Sequence, residues 1–300
     1  MNIYEYAPGR VISGSRTVAL GFFDGVHVGH RELIKSAVSL ARECGISSSV
    51  FTFTSTSRLP KLSDTPLYTD TEKAELIAAL GIDEIIVADF SLIKDLSAES
   101  FINDVLIDAL GCKTAISGRD FRFGRGALGN PELLASEFSK RGLRYVEIGD
   151  VSTDIGKVST TAIKRCLSEA KINEATAMLG SPYFIRSYVE HGRGVGKTLG
   201  FPTLNTDLGG RVAFLKNGVY KTETEINGKR YPSLTNVGTC PTFESRPAHA
   251  ETFIIDFDGD LYGSTVKIYF HSYIREEQKF SSPDELIRRI NKDIEIAKGE

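Results

Sequence analysis

Hydrophobic positions in the first 180 residues follow two alternating spacings. Short runs rich in β-branched and aromatic residues predict strands, and apolar residues three or four apart predict the helices between them. The strand-like runs are TVALGFF, SSSVFTFT, DEIIVADF, KTAISG and LRYVEIG, and the helical segments include RELIKSAVSLAREC, DTEKAELIAALG, SAESFINDVLIDALG and PELLASEFSKRG. This alternation predicts an α/β domain with a parallel sheet covered by helices on both faces.

The pattern changes after Gly180-Ser181-Pro182. The segments YFIRSYVEHG, GVYKTETEI, KRYPSLTNVG, HAETFIIDFDG and STVKIYFHSYI alternate polar and apolar residues and are separated by turn dipeptides such as Asn227-Gly228, Asp258-Gly259 and Gly209-Gly210. Only SSPDELIRRINKDIEIAK reads as a helix, with Ser282 as N-cap and Pro283 at its first position. We therefore expect two domains, residues 1–180 and residues 183–300, the second a small antiparallel β-barrel with a C-terminal helix.

Composition narrows the classes of partner. The net charge is −3 and the isoelectric point is near 6.0, which argues against nucleic acid and against anionic membrane surfaces. No apolar stretch approaches the roughly 18 residues of a membrane helix, and MNIYEYAPGR does not look like a secretory signal. The four cysteines are far apart, which fits a reducing cytoplasm and argues against zinc. We expect small-molecule substrates and leave the oligomeric state open.

The stretch GFFDGVHVGH, residues 21–30, follows the first predicted strand. Ligands of parallel sheets bind at the carboxyl ends of strands, against helix N-termini. Glycines there let the backbone approach phosphate, and two imidazoles can donate to phosphate oxygens while charge shifts. The candidate nucleotide-binding residues are Gly21, Phe22, Phe23, Asp24 and Gly29, with His27 and His30 as catalytic candidates. The alternative is a glycine-rich turn with two exposed histidines.

Two later stretches can meet the same edge of the sheet. In SGRDFRFGRG, arginines 119, 122 and 125 suit phosphate, and Phe121 and Phe123 can stack on a planar ring; the alternative is an exposed basic hairpin. In GKVSTTAIK, cations follow the start of a helix and oppose its dipole, which indicates an anion there. The candidate nucleotide ligands are Ser159, Thr160, Thr161 and Lys164, with plain helix capping as the alternative.

The stretch HGRGVGKTLGFPTLN, residues 191–205, contains a second candidate site. It is not a P-loop, because His191 stands where the first glycine is required and an extended run follows. We interpret it as a flexible phosphate flap whose nucleotide-binding residues are Gly192, Gly194, Gly196 and Lys197. Thr203 and Asn205 follow on one face of an extended segment, and their oxygens suit Mg²⁺ held largely through nucleotide.

The stretch HAETFIIDFDGDLYG supplies a possible general base. In a single strand, Glu251 would share a face with Phe253, Ile255 and Phe257. A carboxylate among large apolar residues requires a partner or a task, and removing a proton from a substrate hydroxyl is such a task. The alternative is a glutamate at a strand end near solvent.

These motifs resemble a known family. HxGH at 27–30, SGRDFRFG and STTAIK resemble the adenylyltransferase half of bacterial bifunctional FAD synthetases, which implies a Rossmann-like HxGH nucleotidyltransferase domain that transfers AMP from ATP to FMN. GVGKTLGFPTLN, GVY, NVGTCPTF, AETFIIDFDGDLYG and FHSYIREEQKF resemble riboflavin kinase in its order. The resemblance implies Glu251 as base, Mg²⁺ on Thr203 and Asn205, ATP, riboflavin, FMN and FAD as ligands, and flavin contacts from Asp120, Phe121 and Arg275.

The chain departs from the family pattern at three places in the first half. FTFTSTSRLP lacks the usual Pro-His-Pro cluster, Ala127 replaces an arginine, and Lys164 replaces another. One alternative is therefore a single-activity riboflavin kinase whose first domain serves as a scaffold or regulator. Another is RNA binding through the basic hairpin, or an aminoacyl-tRNA-synthetase-like role for HxGH. Against it stand the acidic balance and the absence of a KMSKS-type loop and of an anticodon-binding domain.

Overall fold

The computed structural model describes residues 1–55, 65–190, 201–207, 215–238 and 249–299. The chain divides into two compact units, Met1–Thr160 and Thr161–Glu300. The predicted flap residues Gly192, Gly194, Gly196 and Lys197 lie outside the described residues, as does the predicted turn at Gly209-Gly210.

The first unit contains a six-stranded parallel sheet with the order β1-β4-β3-β2-β5-β6. The strands are β1 (Asn2–Glu5), β2 (Arg16–Leu20), β3 (Ser47–Phe53), β4 (Glu84–Ala88), β5 (Cys112–Gly118) and β6 (Arg144–Ile148). The predicted parallel α/β fold is confirmed, with all five predicted strands present. The edge strand β1 was not predicted, because it is short and mostly exposed.

Helices cover both faces of this sheet, as the sequence pattern indicates. They are α1 (Val28–Cys44), α2 (Asp70–Ala78), the short α3 (Ala98–Ser100) and α4 (Pro131–Lys140). After α3 the chain continues as a π-helix, Phe101–Ala109, within the segment predicted as an ordinary helix. A two-stranded antiparallel ribbon, β7 (Ser152–Thr153) with β8 (Gly156–Lys157), was not predicted.

Apolar side chains pack on both faces of the sheet, which explains why its strands lack alternation. One cluster contains Val18, Phe51 and Ala115 from the strands with Phe101 and Phe138 from the helical segments. The opposite cluster contains Ala19, Val50 and Ile116 with Ile34 of α1 and Ile77 of α2. Neighbouring residues of one strand thus face different cores.

The second unit is a closed antiparallel barrel with the strand order β10-β13-β12-β11-β14-β9. The strands are β9 (Tyr183–Glu190), β10 (Thr203–Asp207), β11 (Gly218–Ile226), β12 (Lys229–Gly238), β13 (His249–Ile254) and β14 (Thr265–Arg275). Asn227 and Gly228 both have positive φ, 49° and 80°, in the two-residue loop between β11 and β12. The predicted barrel and this predicted hairpin turn are confirmed.

Three further helices are α5 (Thr160–Ser168), α6 (Ile172–Leu179) and α7 (Pro283–Lys298). The Ser282 side chain accepts a hydrogen bond from the Glu285 backbone N–H, and Pro283 is the first residue of α7, as predicted. Helix α6 packs against β9 and β14, and α7 packs against β11 and β12. Among the described residues, no helix combines the length and apolarity that crossing a membrane requires.

Candidate active sites

The loop after β2 lies at a topological switch point of the sheet. β2 has β3 on one side and β5 on the other. The chain therefore adds β3 and β4 on one side of β2 and later adds β5 and β6 on the opposite side. The carboxyl ends of β2 and β5 therefore flank a crevice of the kind where open parallel sheets bind ligands. Residues 21–30 follow β2, and residues 119–130 follow β5. The two predicted loops are thus neighbours.

The backbone of the β2 loop is strained. Phe23 and Val26 have φ of 57° and 41°, a region that β-branched and bulky side chains rarely adopt. Both side chains are fully buried, with exposures of 1% and 0%, so packing holds them in this conformation. Strain of this kind, of order 1–3 kcal/mol per residue, concentrates at functional sites.

His27 fixes the start of α1. It is the N-cap residue, and its Nδ1 accepts a hydrogen bond from the His30 backbone N–H at 3.2 Å. The two imidazole rings stack with centroids 3.6 Å apart, and a Cβ on Gly29 would lie only 3.3 Å from the His27 ring. Because Nδ1 is an acceptor, the neutral ring carries its proton on Nε2.

Both imidazoles are held in the neutral form. Burial lowers the pKa of His27 to about 4, although the Asp120 carboxylate opposes this shift. Burial, with the charges of His27 and Lys73, holds the pKa of His30 well below its ordinary value. His27 is only 8% exposed, and the buried His30 Nδ1 makes no hydrogen bond with a described residue. The alternative of two exposed histidines is therefore wrong.

Lys73 of α2 lies at the same loop and was missed by the sequence analysis. Its side chain is 7% exposed, its Nζ donates to the Phe53 carbonyl oxygen at 2.7 Å, and it lies 4.8 Å from the Phe22 ring centroid. Burial lowers its pKa, while Asp70 at 3.4 Å and Asp24 favour the charged form. On α2 alone it looks like a surface lysine, and only its packing against the ends of β2 and β3 distinguishes it.

Asp24 and Thr160 connect two of the predicted motifs. Asp24 is 5% exposed, and its Oδ1 accepts from the Leu67 backbone N–H at 2.8 Å. The Thr160 hydroxyl donates to the Asp24 carbonyl oxygen at 3.0 Å, so it binds the β2 loop. Ser159 adjoins it, whereas Thr161 and Lys164 fall in the second compact unit and their nucleotide role stays a prediction.

The loop after β5 combines an apolar inner side with a charged outer side. Phe121 is half-buried and stacks on the buried Phe123 at 5.7 Å between centroids. Asp120 is exposed and close enough to favour the charged form of His27. The three arginines of the loop, at 119, 122 and 125, are exposed. Asp120 thus lies near the histidine pair, and the flavin contacts of Asp120 and Phe121 stay predictions.

In the barrel, the predicted kinase residues lie on neighbouring strands and form cross-strand pairs. Glu251 of β13 is directly opposite Asn205 of β10 on one side and Asn236 of β12 on the other. The next pair along the same face places Thr203 opposite Phe253. Since opposed residues of antiparallel strands share a face, Thr203, Asn205 and Glu251 are brought together as predicted.

A pocket of about 280 Å³ opens on this face. Its apolar wall includes Phe201, Leu234, Phe253, Phe280, Leu286 and Ile290. Its polar residues include Thr203, Asn236, Glu251, Arg275, Glu277 and Asp293. An apolar pocket with a few convergent polar groups is the usual form of a small-molecule site.

The surroundings of Glu251 differ from the sequence prediction in one respect. Strand β13 ends at Ile254 and the chain turns at Asp256, whose φ is 55°. Ile255 and Phe257 are therefore not on the strand, and of the three expected apolar neighbours only Phe253 shares its face. Glu251 is exposed at the rim of the pocket, as the alternative of a glutamate near solvent expects, and it lies on the same face as Thr203, so its role as base stays a prediction.

Arg275 lines the pocket as part of a buried ion-pair group. Its Nη2 lies 2.8 Å from Asp293 Oδ2, and Arg289 Nε lies 3.3 Å from Asp293 Oδ1. The Asp293 side chain is 1% exposed. The Arg275 guanidinium thus anchors the end of β14 to α7, and its flavin contact stays a prediction. Sequence periodicity could not reveal Asp293, because the aspartate occupies an ordinary helical position.

Comparison with known proteins agrees with the division of the chain into two units. Residues 11–162 match the family model of FAD synthetase, and residues 179–299 match that of riboflavin kinase. The bifunctional riboflavin kinase/FMN adenylyltransferase of Bacillus subtilis is 34% identical over 92% of this chain and 89% of its own length. The Escherichia coli K12 protein of the same name is 32% identical over 92% and 90%.

A solved structure shares the entire architecture. The crystal structure of a macrolide-efflux protein from Streptococcus pneumoniae superposes with a TM-score of 0.90 at 29% identity, over 99% of both chains. The fold and the two matched family models define a class of two-domain flavin kinases and nucleotidyltransferases. The chain belongs to the family of bifunctional riboflavin kinase/FMN adenylyltransferases, and both enzymatic domains of that family are present.

Proposed function

We propose that this chain phosphorylates riboflavin to FMN in its second half and adenylylates FMN to FAD in its first half. The observation that carries the proposal is that each unit holds its own candidate catalytic groups. The stacked His27 and His30 lie at the switch point of the sheet, and Glu251 lies with Thr203 at the barrel pocket. We keep residues 1–180 and 183–300 as the functional domains, because the riboflavin kinase match begins at residue 179.

In the kinase step, Glu251 takes the proton of the terminal ribityl hydroxyl. The resulting oxygen attacks the γ-phosphorus of ATP, and ADP leaves. The apolar wall of the pocket accommodates the flavin ring. The Glu251 carboxylate is exposed at the rim of the pocket, and ATP binds on this solvent-facing side, which supports this direction of attack.

The donor set fits Mg²⁺. Thr203 and Asn205 offer neutral oxygens on one face of β10, beside the Glu251 carboxylate. The described residues contain no cluster of three or more acidic, histidine or cysteine ligands, which agrees with a cation bound mainly through nucleotide phosphates. Bound there, Mg²⁺ would neutralise charge on the transferring phosphoryl group. Thr203 and Asn205 would hold it through their side-chain oxygens.

In the adenylyl step, an oxygen of the FMN phosphate attacks the α-phosphorus of ATP and pyrophosphate leaves. The residues of the chain position the reactants and stabilise charge, with no covalent intermediate. His27 Nε2–H is the donor that its N-cap role leaves available. The buried Lys73 adds positive charge at the same edge of the sheet.

Separate assays of the two half-reactions test this proposal. Purified protein with Mg²⁺ and ATP should convert riboflavin to FMN and, in a second reaction, supplied FMN to FAD, both followed by chromatography. FMN formation without any conversion of FMN to FAD would instead favour a kinase with a non-catalytic first domain. Failure of both reactions would refute the proposal.

A further inference from the structure

Asn236 carries a buried acceptor that no described residue satisfies. Its Oδ1 is inaccessible to solvent and makes no hydrogen bond with any described part of the chain. Its Nδ2 donates to Glu277 Oε1 at 3.3 Å. Because a carboxylate oxygen only accepts, the amide cannot be turned over without placing oxygen against oxygen, and Oδ1 is therefore held away from Glu277.

The position of Glu277 is itself prepared by the fold. A Cβ at Gly238, two residues after Asn236 on β12, would clash with the Glu277 carboxylate. Glycine at this position lets Glu277 lie across the end of β12 and reach the asparagine amide. Asn236 and Glu277 thus form one hydrogen-bonded pair at the pocket wall.

The pair lies beside the proposed base. Asn236 is directly opposite Glu251, so their Cβ atoms are about 5 Å apart on one face of the sheet. A substrate whose terminal hydroxyl meets Glu251 therefore brings the next part of its chain to Asn236. Leaving a buried acceptor without a donor is unfavourable, so this position suits a ligand that supplies an O–H.

We propose that Asn236 is a specificity-determining residue that accepts a hydrogen bond from an interior hydroxyl of the ribityl chain, with Glu277 holding its amide in place. This inference rests on the kinase activity proposed above and deepens it. It makes the polyol chain, in addition to the flavin ring, a feature that the pocket recognises. Asn236 binds the hydroxyl next to the reacting centre and takes no part in proton transfer.

The test compares two substrates on two enzymes. The first substrate is riboflavin, and the second is its analogue with an ω-hydroxypentyl chain, which keeps the terminal hydroxyl and lacks the interior ones. The wild-type chain should favour riboflavin in kcat/KM by ~10-fold or more, since one buried acceptor is left unsatisfied by the analogue. Asn236→Leu, which keeps the shape of the side chain without its acceptor, should lose most of this preference.

Three controls make the result specific. Asn236→Leu should phosphorylate the analogue at close to the wild-type rate, which shows that its barrel is folded and its base is functional. Asn236→Ala repeats the comparison without steric bulk. Lys229→Ala removes an exposed polar side chain of β12 that does not line the pocket, and it should leave the preference for riboflavin unchanged.

Either of two outcomes would overturn the inference. One is a preference for riboflavin that both Asn236 variants retain in full. The other is loss of phosphorylation of both compounds by variants that unfold in one cooperative transition, because a contact with interior hydroxyls cannot affect the analogue. If the wild-type chain phosphorylated neither compound, the proposed kinase function itself would fail, so the two failures are distinguishable.

Discussion

The two nitrogens of His27 perform separable tasks, and two substitutions can separate them. Nδ1 accepts the His30 N–H at the start of α1, and Nε2–H is free to donate to phosphate. His27→Asn places an amide oxygen where Nδ1 was, so it preserves the cap. His27→Gln extends an amide group toward the position of Nε2, so it preserves a donor and removes the cap.

Loss of the cap acceptor lowers stability, whereas loss of the Nε2–H donor lowers the rate of FAD formation. Losing an N-cap acceptor costs about 1 kcal/mol of stability, whereas losing one donor to a developing oxyanion costs about 10²–10³ in rate. His27→Asn should therefore unfold like the wild type and form FAD from FMN some 10²–10³-fold more slowly. His27→Gln should be the less stable variant and the faster of the two.

Urea unfolding and chromatographic assay of FMN-to-FAD conversion measure these quantities on the same preparations. Riboflavin phosphorylation serves as the internal control and should be unchanged in both variants. Wild-type FAD formation by His27→Asn would refute the assignment, because it would show that only the cap acceptor of His27 matters.

Three further predictions follow from described contacts. Glu251→Gln should abolish FMN formation while leaving FMN-to-FAD conversion intact, and loss of both in a folded variant would contradict separate sites. Lowering the pH from 7 to 5 should reduce the free energy of unfolding by about 2 kcal/mol through His27. The pKa of His27 is about 4 in the folded chain and about 6.5 in the unfolded chain, so the unfolded chain binds the proton first and stability falls as the pH drops between these values. Urea unfolding of His27→Asn should lack this pH-dependent loss. Asp293→Ala leaves Arg275 buried and unpaired, which should destabilise the barrel by about 3–5 kcal/mol, seen as kinase loss on warming before loss of FAD formation.

Local chemistry predicted much of the fold. The continuous apolar strands, the Asn227-Gly228 hairpin and the Ser282-Pro283 helix start depend on neighbours in sequence, and all were confirmed. The edge strand β1 and the π-helix were missed, because both depend on what the rest of the unit packs against them. The expected alternation beyond Ile254 failed where the chain turns at Asp256.

In the candidate sites too, features set by nearby sequence were predicted and features set by distant elements were missed. Motif spacing indicated His27, Thr203 and Glu251 as candidates, because their predicted roles depend on short stretches of sequence that fold as one loop or strand. Lys73 and Asn236 were missed, since each becomes notable only through partners from other elements, Phe53 for the lysine and Glu277 for the asparagine. No local pattern distinguishes a surface lysine from a buried one.

Mixing two single-site variants tests the central claim most directly. Glu251→Ala alone should make no FAD from riboflavin, because it lacks the kinase step, and His27→Ala alone should make FAD about 10²–10³-fold more slowly than the wild type. If the two sites work independently, the mixture should make FAD, with FMN detectable in solution before FAD accumulates. If the mixture made none, although each variant retained its own half-reaction in isolation, the account of two independent sites linked by free FMN would be contradicted.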